Sequence, residues 1–158
     1  MKIVIIDGAN IATVNNPKRR RSSRIESAIG HLDLIADCVT AVLPSYWIKP
    51  GIKIEDPEIL KRLLQDDKID LIQKKDDDHY MIKYCVTNDA FLLSNDKLRN
   101  YRNEEWWTYR HEEWTKTHLL EFEFINDTLI LSETARKKLT PTIIEPPSSG
   151  LEIIAETG

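Results

Sequence analysis

Hydrophobic residues along the chain fall into short runs separated by polar, turn-forming clusters. The first run, Ile3-Val4-Ile5-Ile6, is continuously apolar. A strand covered on one face alternates polar and apolar residues, whereas a continuous run suits a strand covered on both faces of a parallel sheet. This predicts a strand over 2–6 that stops at the turn signal Asp7-Gly8. A basic loop follows, and Ser22-Ser23 is a candidate helix cap. Ile25, Ala28, Ile29, Leu32 and Ile35 share one helical face, predicting a helix over 24–35. Residues 39–47 read as a second strand, with Pro44 ending its paired part. Asp56-Pro57 pairs a cap with a first-turn proline and opens a helix to about residue 66.

A third strand is predicted over 69–72 and a helix over 76–87, with Asp76, Asp77 and Asp78 at its positive dipole end. A fourth strand over 90–93 runs into Ser94-Asn95-Asp96. An aromatic and charged stretch comes next, then a hairpin of 119–125 and 128–131 around Asn126-Asp127. From Pro141 the composition turns to Pro, Ser and Gly. The expected organisation is one domain over 1–140 and a tail over 141–158. Strands alternating with helices predict a doubly wound α/β sheet.

In such sheets sites lie beyond the carboxyl ends of the strands. Asp7 ends the first strand, Asp96 follows the fourth, and Asp76 to Asp78 follow the third. Three segments therefore deliver carboxylates to one rim, though the pattern does not choose between Asp76 and Asp77. Asp89 lies about 18 Å further along its helix, at 1.5 Å per residue, and so falls on the opposite edge. Asp37 precedes the second strand and is excluded likewise. Two carboxylates about 4 Å apart in a partly screened site repel by roughly 4 kcal/mol. Such a cluster calls for protonation or a cation, and hard oxygen ligands suit Mg²⁺ or Mn²⁺. Asn10, three residues past Asp7, could hold a carboxylate, a water or a phosphate. Ser94 and Asn95 could orient Asp96.

Charge changes the picture in its distribution more than in its sum. The 158 residues carry 22 Lys and Arg against 26 Asp and Glu, a net charge of −4, which taken whole argues against a general nucleic-acid binder. Yet Lys18, Arg19, Arg20, Arg21 and Arg24 crowd the segment after the first strand, beside the acidic rim. That placement suits an RNA phosphate backbone, and Lys74-Lys75 adds to the same surface. Trp106, Trp107, Tyr109 and Trp114 lie among Arg102, Arg110 and Lys116, a mixture that can stack bases. Trp107 and Trp114 are seven apart, however, which favours core packing. His79, His111 and His118 show no metal-ligand spacing, and His31 reads as a surface residue.

Other classes fall away. No apolar run approaches the roughly 20 residues of a membrane span, so no membrane partner is expected. The first ten residues lack a signal-peptide core. Cys38 and Cys85 stand alone, without zinc or disulfide spacing, and a reducing cytoplasm is the expected compartment.

Three segments carry a family resemblance: IVIIDGAN (3–10), DDHYMIKYCVTNDAFLLSND (77–96) and FEFINDTLIL (122–131). In this order they resemble the NYN/PIN-like ribonucleases, nearest the Regnase-type group otherwise found attached to a CCCH zinc finger. The resemblance runs from Met1 to about Leu131. It implies a three-layer α/β/α PIN-like fold and a Mg²⁺- or Mn²⁺-dependent endoribonuclease acting on single-stranded or loop RNA. By position it makes Asp7, Asp77, Asp78 and Asp96 the catalytic acids. Asp7, Asp77 and Asp96 would hold the metal and Asn10 would sit beside them. Related domains often pair, so a homodimer is an expectation. The chain departs from the pattern at Asn100, where family members often have a further acid, and it has no CCCH finger. Asn100 favours an alternative, an RNA-binding module without catalysis. A phosphotransfer enzyme with a nucleophilic Asp would want DxD after the first strand, and Asp7-Gly8-Ala9 counts against it.

Overall fold

The computed structural model describes residues 1–73 and 77–140. Lys74, Lys75, Asp76 and the tail over 141–158 lie outside the described residues. Strands β1 (Ile3–Asp7), β2 (Cys38–Pro44), β3 (Ile69–Ile72), β4 (Phe91–Leu93) and β5 (Leu119–Leu120) form one sheet in the order β3-β2-β1-β4-β5. Every pairing in it is parallel.

The uninterrupted apolar runs are explained by two cores, one on each face. Val4, Ile6, Ala41, Leu43, Leu93 and Leu120 point into the first core. Their neighbours Ile5, Val42, Leu92 and Leu119 point into the second. Successive side chains leave a strand on opposite faces, so each strand feeds both layers. Helices α1 (Gly8–Thr13), α2 (Ser22–Asp33) and α3 (Pro57–Gln65) contribute Ile11, Ile25, Ile29, Leu32, Leu60 and Leu63 to the first core. Helices α4 (Asp77–Asn88) and α5 (Tyr109–His118) contribute Ile82, Cys85 and Trp114 to the second. The result is the expected three-layer α/β/α arrangement around a central parallel sheet. Among the described residues no helix is long and apolar enough to cross a membrane.

Several predicted boundaries move, each for a local reason. The predicted strand over 39–47 ends at Pro44, and Ser45–Ile48 form a 3₁₀ turn that buries Trp47. Ser22 does not cap α2; its hydroxyl donates to the carbonyls of Glu55 and Asp56 (2.6 and 2.7 Å), tying α2 to the start of α3. Asp56 adopts φ 53° with no side-chain cap, although Pro57 does begin α3. The predicted strand over 119–125 is two elements. Leu119–Leu120 extend the parallel sheet beside β4, and after Glu121 the chain enters β6 (Phe122–Ile125). This strand pairs antiparallel with β7 (Thr128–Leu131) as a separate ribbon. Helices α1 and α5, and the closing α6 (Glu133–Leu139), were not among the predicted elements.

Candidate functional site: an acidic cleft at the carboxyl edge of the sheet

β1 ends in Asp7, which still pairs with Val42 of β2, and the chain turns at once into α1. The turn is possible because residue 8 is glycine: a Cβ there would stand 2.7 Å from the Val42 carbonyl oxygen and 2.8 Å from Leu43 Cδ2. Asp7 is the N-cap of α1 and accepts a hydrogen bond from the Asn10 N–H at Oδ1 (3.2 Å). Its Oδ2 accepts from the Ser94 hydroxyl (3.0 Å). The carboxylate is buried and held at both oxygens by segments following two adjacent strands.

The Ser94 hydroxyl, fully buried, also accepts from the Asp96 N–H (3.1 Å), so one side chain couples the two acids. Asp96 Oδ1 in turn accepts from the Leu98 N–H (2.8 Å). Leu98 is buried and held at φ 60°, which shapes this turn. Asp96 Oδ2 has no hydrogen-bond partner among the described residues. Asn10 reaches the same loop: its Oδ1 accepts from the Asn95 N–H (2.9 Å). Asn95 then bonds both backbone groups of Phe122 (3.0 and 3.1 Å) and anchors the loop to β6.

Asp7, Asn10, Asp78 and Asp96 line one cleft of about 820 Å³. Arg20 and Lys49 line it as well, with Tyr46 and Trp47 of the 3₁₀ turn. The rim inferred from strand order is thus a physical cleft. Asp77 opens α4 at the same edge; its side chain lies outside what is described. Asp89 and Asp37 do fall on the far edge, where Asp89 meets His118 Nε2 (3.0 Å) and Asp37 accepts from the Lys2 N–H (2.6 Å). Among the described residues no three His, Cys, Asp or Glu side chains come close enough to form a metal-ligand group.

The basic run divides sharply, and two of its members require correction as RNA contacts. Arg21 and Arg24 are buried, 8% and 6% exposed, and both donate to the Val14 carbonyl (2.7 and 3.2 Å). Val14 is the C-cap of α1, where backbone carbonyls lack helical partners and the dipole is negative. Arg24 also donates to the Asn126 carbonyl (3.2 Å), faces Asp127 (3.5 Å) and lies over the Phe124 ring (4.6 Å). Burial lowers the Arg21 pKa, and the neighbouring Arg24 and Arg19 charges lower it further. These two arginines hold the fold. Arg19 is exposed and paired through two 2.6 Å bonds with Glu55, whose carboxyl that contact holds below its usual range. Lys18 is exposed. Only Arg20 of the run lines the cleft, its guanidinium 5.2 Å from the Trp47 ring centroid.

Residues 1–145 match the model of the Zc3h12a-like ribonuclease NYN domain. The chain belongs to this family. Two solved structures of nuclear protein-only RNase P 2 (PRORP2) from Arabidopsis thaliana share the fold, each with a TM-score of 0.66 and 17% identity. They cover 83% and 85% of this chain, which spans only 29% and 30% of theirs. The protein therefore carries a ribonuclease NYN domain, and RNA is the substrate class of its family.

One contact to this NYN cleft has no signature in the sequence. Tyr101 donates its hydroxyl to Asp78 Oδ2 (2.9 Å), across 23 positions of chain. Its ring leans on Trp106 (5.8 Å), which stacks on His79 at 4.1 Å and 14°. The aromatic group thus braces the first turn of α4. Trp114 is buried in the second core and donates to the Ala90 carbonyl (2.8 Å), as its core reading required. Trp107 precedes α5 and donates to Glu112 (2.8 Å). His111 belongs to a capping box with Thr108; burial, Arg110 and His79 lower its pKa and favour the neutral ring that accepts from the Thr108 N–H.

Tyr101→Phe removes only the hydroxyl and keeps the ring contacts. We expect RNA cleavage to slow by about 10-fold, mainly in kcat, because the hydroxyl holds Asp78 directly and acts on the chemistry only through it. Single-turnover kinetics beside a thermal melt check this; a wild-type kcat would show that the bond positions nothing used in catalysis.

Proposed function

We propose that this NYN domain is a Mg²⁺- or Mn²⁺-dependent endoribonuclease that hydrolyses phosphodiester bonds of single-stranded or loop RNA in the acidic cleft. The observation that carries the reading is the delivery of Asp7, Asp78 and Asp96 from three chain segments to one cleft that also contains Arg20 and Lys49. An RNA strand placed there puts its phosphates between cations and carboxylates.

The donor chemistry fits a hard divalent ion. All the candidate ligands are oxygens, Asp7 is buried and fixed, and one carboxylate oxygen of Asp96 has no hydrogen-bond partner among the described residues. Asp7, Asp77 and Asp96 would hold the ion. When bound, it supplies Lewis acidity that offsets charge developing on the phosphodiester. Asp78, held by Tyr101, positions the attacking water and accepts its proton. Ser94 keeps Asp7 and Asp96 in fixed relation, and Asn10 ties α1 to their loop. Arg20 and Lys49 hold phosphates on either side of the scissile one, with exposed Lys18 as an outer contact.

A labelled stem-loop RNA incubated with Mg²⁺, Mn²⁺ or EDTA tests this directly. The expected result is cutting within the loop in either metal, with internal fragments as products, and none in EDTA. Cleavage that survives EDTA would overturn the metal dependence. A second reading, RNA binding without cleavage, is favoured by Asn100, which stands exposed in the 3₁₀ turn after Asp96. It predicts salt-sensitive binding with intact RNA under all three conditions.

A further inference from the structure

Beside the acidic cleft lies a second groove of about 460 Å³, built from the segment after the 3₁₀ turn and from α3. Buried Leu60 and partly buried Ile52, Ile54 and Leu64 line it, together with exposed Lys49, Lys53 and Lys61. Three cations and no carboxylate among its lining residues is a marked departure for a chain of net charge −4. The groove adjoins the cleft: Trp47 and Lys49 line both.

We propose that this groove is a subsite for single-stranded RNA outside the cleavage centre, holding the nucleotides that run past Lys49 away from the acids. The inference rests on the reading of the acidic cleft as an RNA site. Single-strand binding combines cations that follow the backbone with apolar side chains, aromatic ones above all, against which unpaired bases pack; here Trp47 is the aromatic and the rest are aliphatic. Lys49, Lys53 and Lys61 supply the first and the apolar lining supplies the second. A duplex buries its bases in its own stack and presents only phosphates, so the apolar half of the groove serves an unpaired strand. Aliphatic side chains form no base-specific hydrogen bonds, so the subsite reads strandedness and length, not sequence. The consequence is a substrate-length requirement: RNA confined to the cleft binds less tightly than RNA long enough to reach α3.

Binding in EDTA isolates this from cleavage. Fluorescence anisotropy compares a tetrauridine with an oligouridine of about sixteen nucleotides, on wild type and on Lys53→Glu/Lys61→Glu. Both lysines are exposed, and circular dichroism verifies folding; Lys53→Gln/Lys61→Gln removes the charges without reversing them. We expect the longer RNA to lose about 10-fold or more in affinity with the Glu pair. With the Gln pair its salt slope should fall by about 1.4, as for two phosphate contacts on a single strand. The tetrauridine should be unaffected by either pair. Equal losses on both lengths would reveal a general field effect and overturn the subsite. Unchanged binding of both would overturn it too, as expected if the groove serves an anionic peptide or lipid surface. Length-dependent binding without cleavage in Mg²⁺ would sink the catalytic reading and leave the subsite standing. Cleavage indifferent to Lys53 and Lys61 would do the reverse.

Discussion

Asp96→Asn is expected to slow RNA cleavage by about 100-fold or more, while the fold and RNA binding in EDTA stay near wild type. The size follows from what the substitution removes. Asn keeps an oxygen to accept the Leu98 N–H, so the turn that carries it is preserved. It replaces a partly exposed carboxylate oxygen in the cleft by a neutral amide, a much poorer ligand for a hard cation. Asp7→Asn should inactivate as strongly but less cleanly. Asn is as good an N-cap as Asp, yet its NH₂ cannot accept from the Ser94 hydroxyl as Asp7 Oδ2 does. A buried donor must then rotate or lose its partner, at about 1–2 kcal/mol of stability. Single-turnover cleavage, anisotropy and thermal melts on both variants separate these effects. A normal rate in Asp96→Asn would remove this cleft as the seat of the chemistry.

The carboxylate rim was legible because strand order constrains it. Once the run at Ile3 to Ile6 is read as a central parallel strand, the shared strand direction puts the carboxyl ends of all such strands on one edge. Asp7, Asp96 and the acids opening α4 then fall together, and Asp37 and Asp89 do not. Elements without a strong period were not legible. α1 has six residues, too few for an apolar stripe, and a two-residue strand such as Leu119–Leu120 exists only because β4 offers a free edge beside it. Contacts set by tertiary placement were hidden as well. Nothing local to Tyr101 reports Asp78, and nothing in the spacing of Arg21 and Arg24 reports a carbonyl at Val14. A basic run looks the same in sequence whether its cations meet phosphates or helix ends.

That distinction makes Arg24→Ala the largest stability effect expected outside the two cores. A helix as short as α1 does not persist by itself, because nucleation costs more than a turn or two returns. It is held by Asp7 at its start and by Arg21 and Arg24 at its end. Removing the Arg24 guanidinium strips a donor from the Asn126 carbonyl, leaves the Val14 carbonyl to Arg21 alone, and takes the cation off Phe124. Bonds from a charged donor to such groups contribute about 1.5–3 kcal/mol each, with overlap between them, so a loss of about 3 kcal/mol is expected. For a chain of this size that is a fall of roughly 10 °C in Tm, readable by calorimetry. Arg24→Lys should recover only part of it, since one ammonium cannot reach both carbonyls in the planar fork geometry. Arg19→Ala, which breaks an exposed pair with Glu55, should leave Tm unchanged. Were Arg24 instead an RNA contact, its removal would spare Tm and cut affinity and salt slope directly. The structural reading predicts the opposite order: Tm falls first, and cleavage weakens only as α1, with Asn10 on it, loosens against the Asp7–Ser94–Asp96 chain.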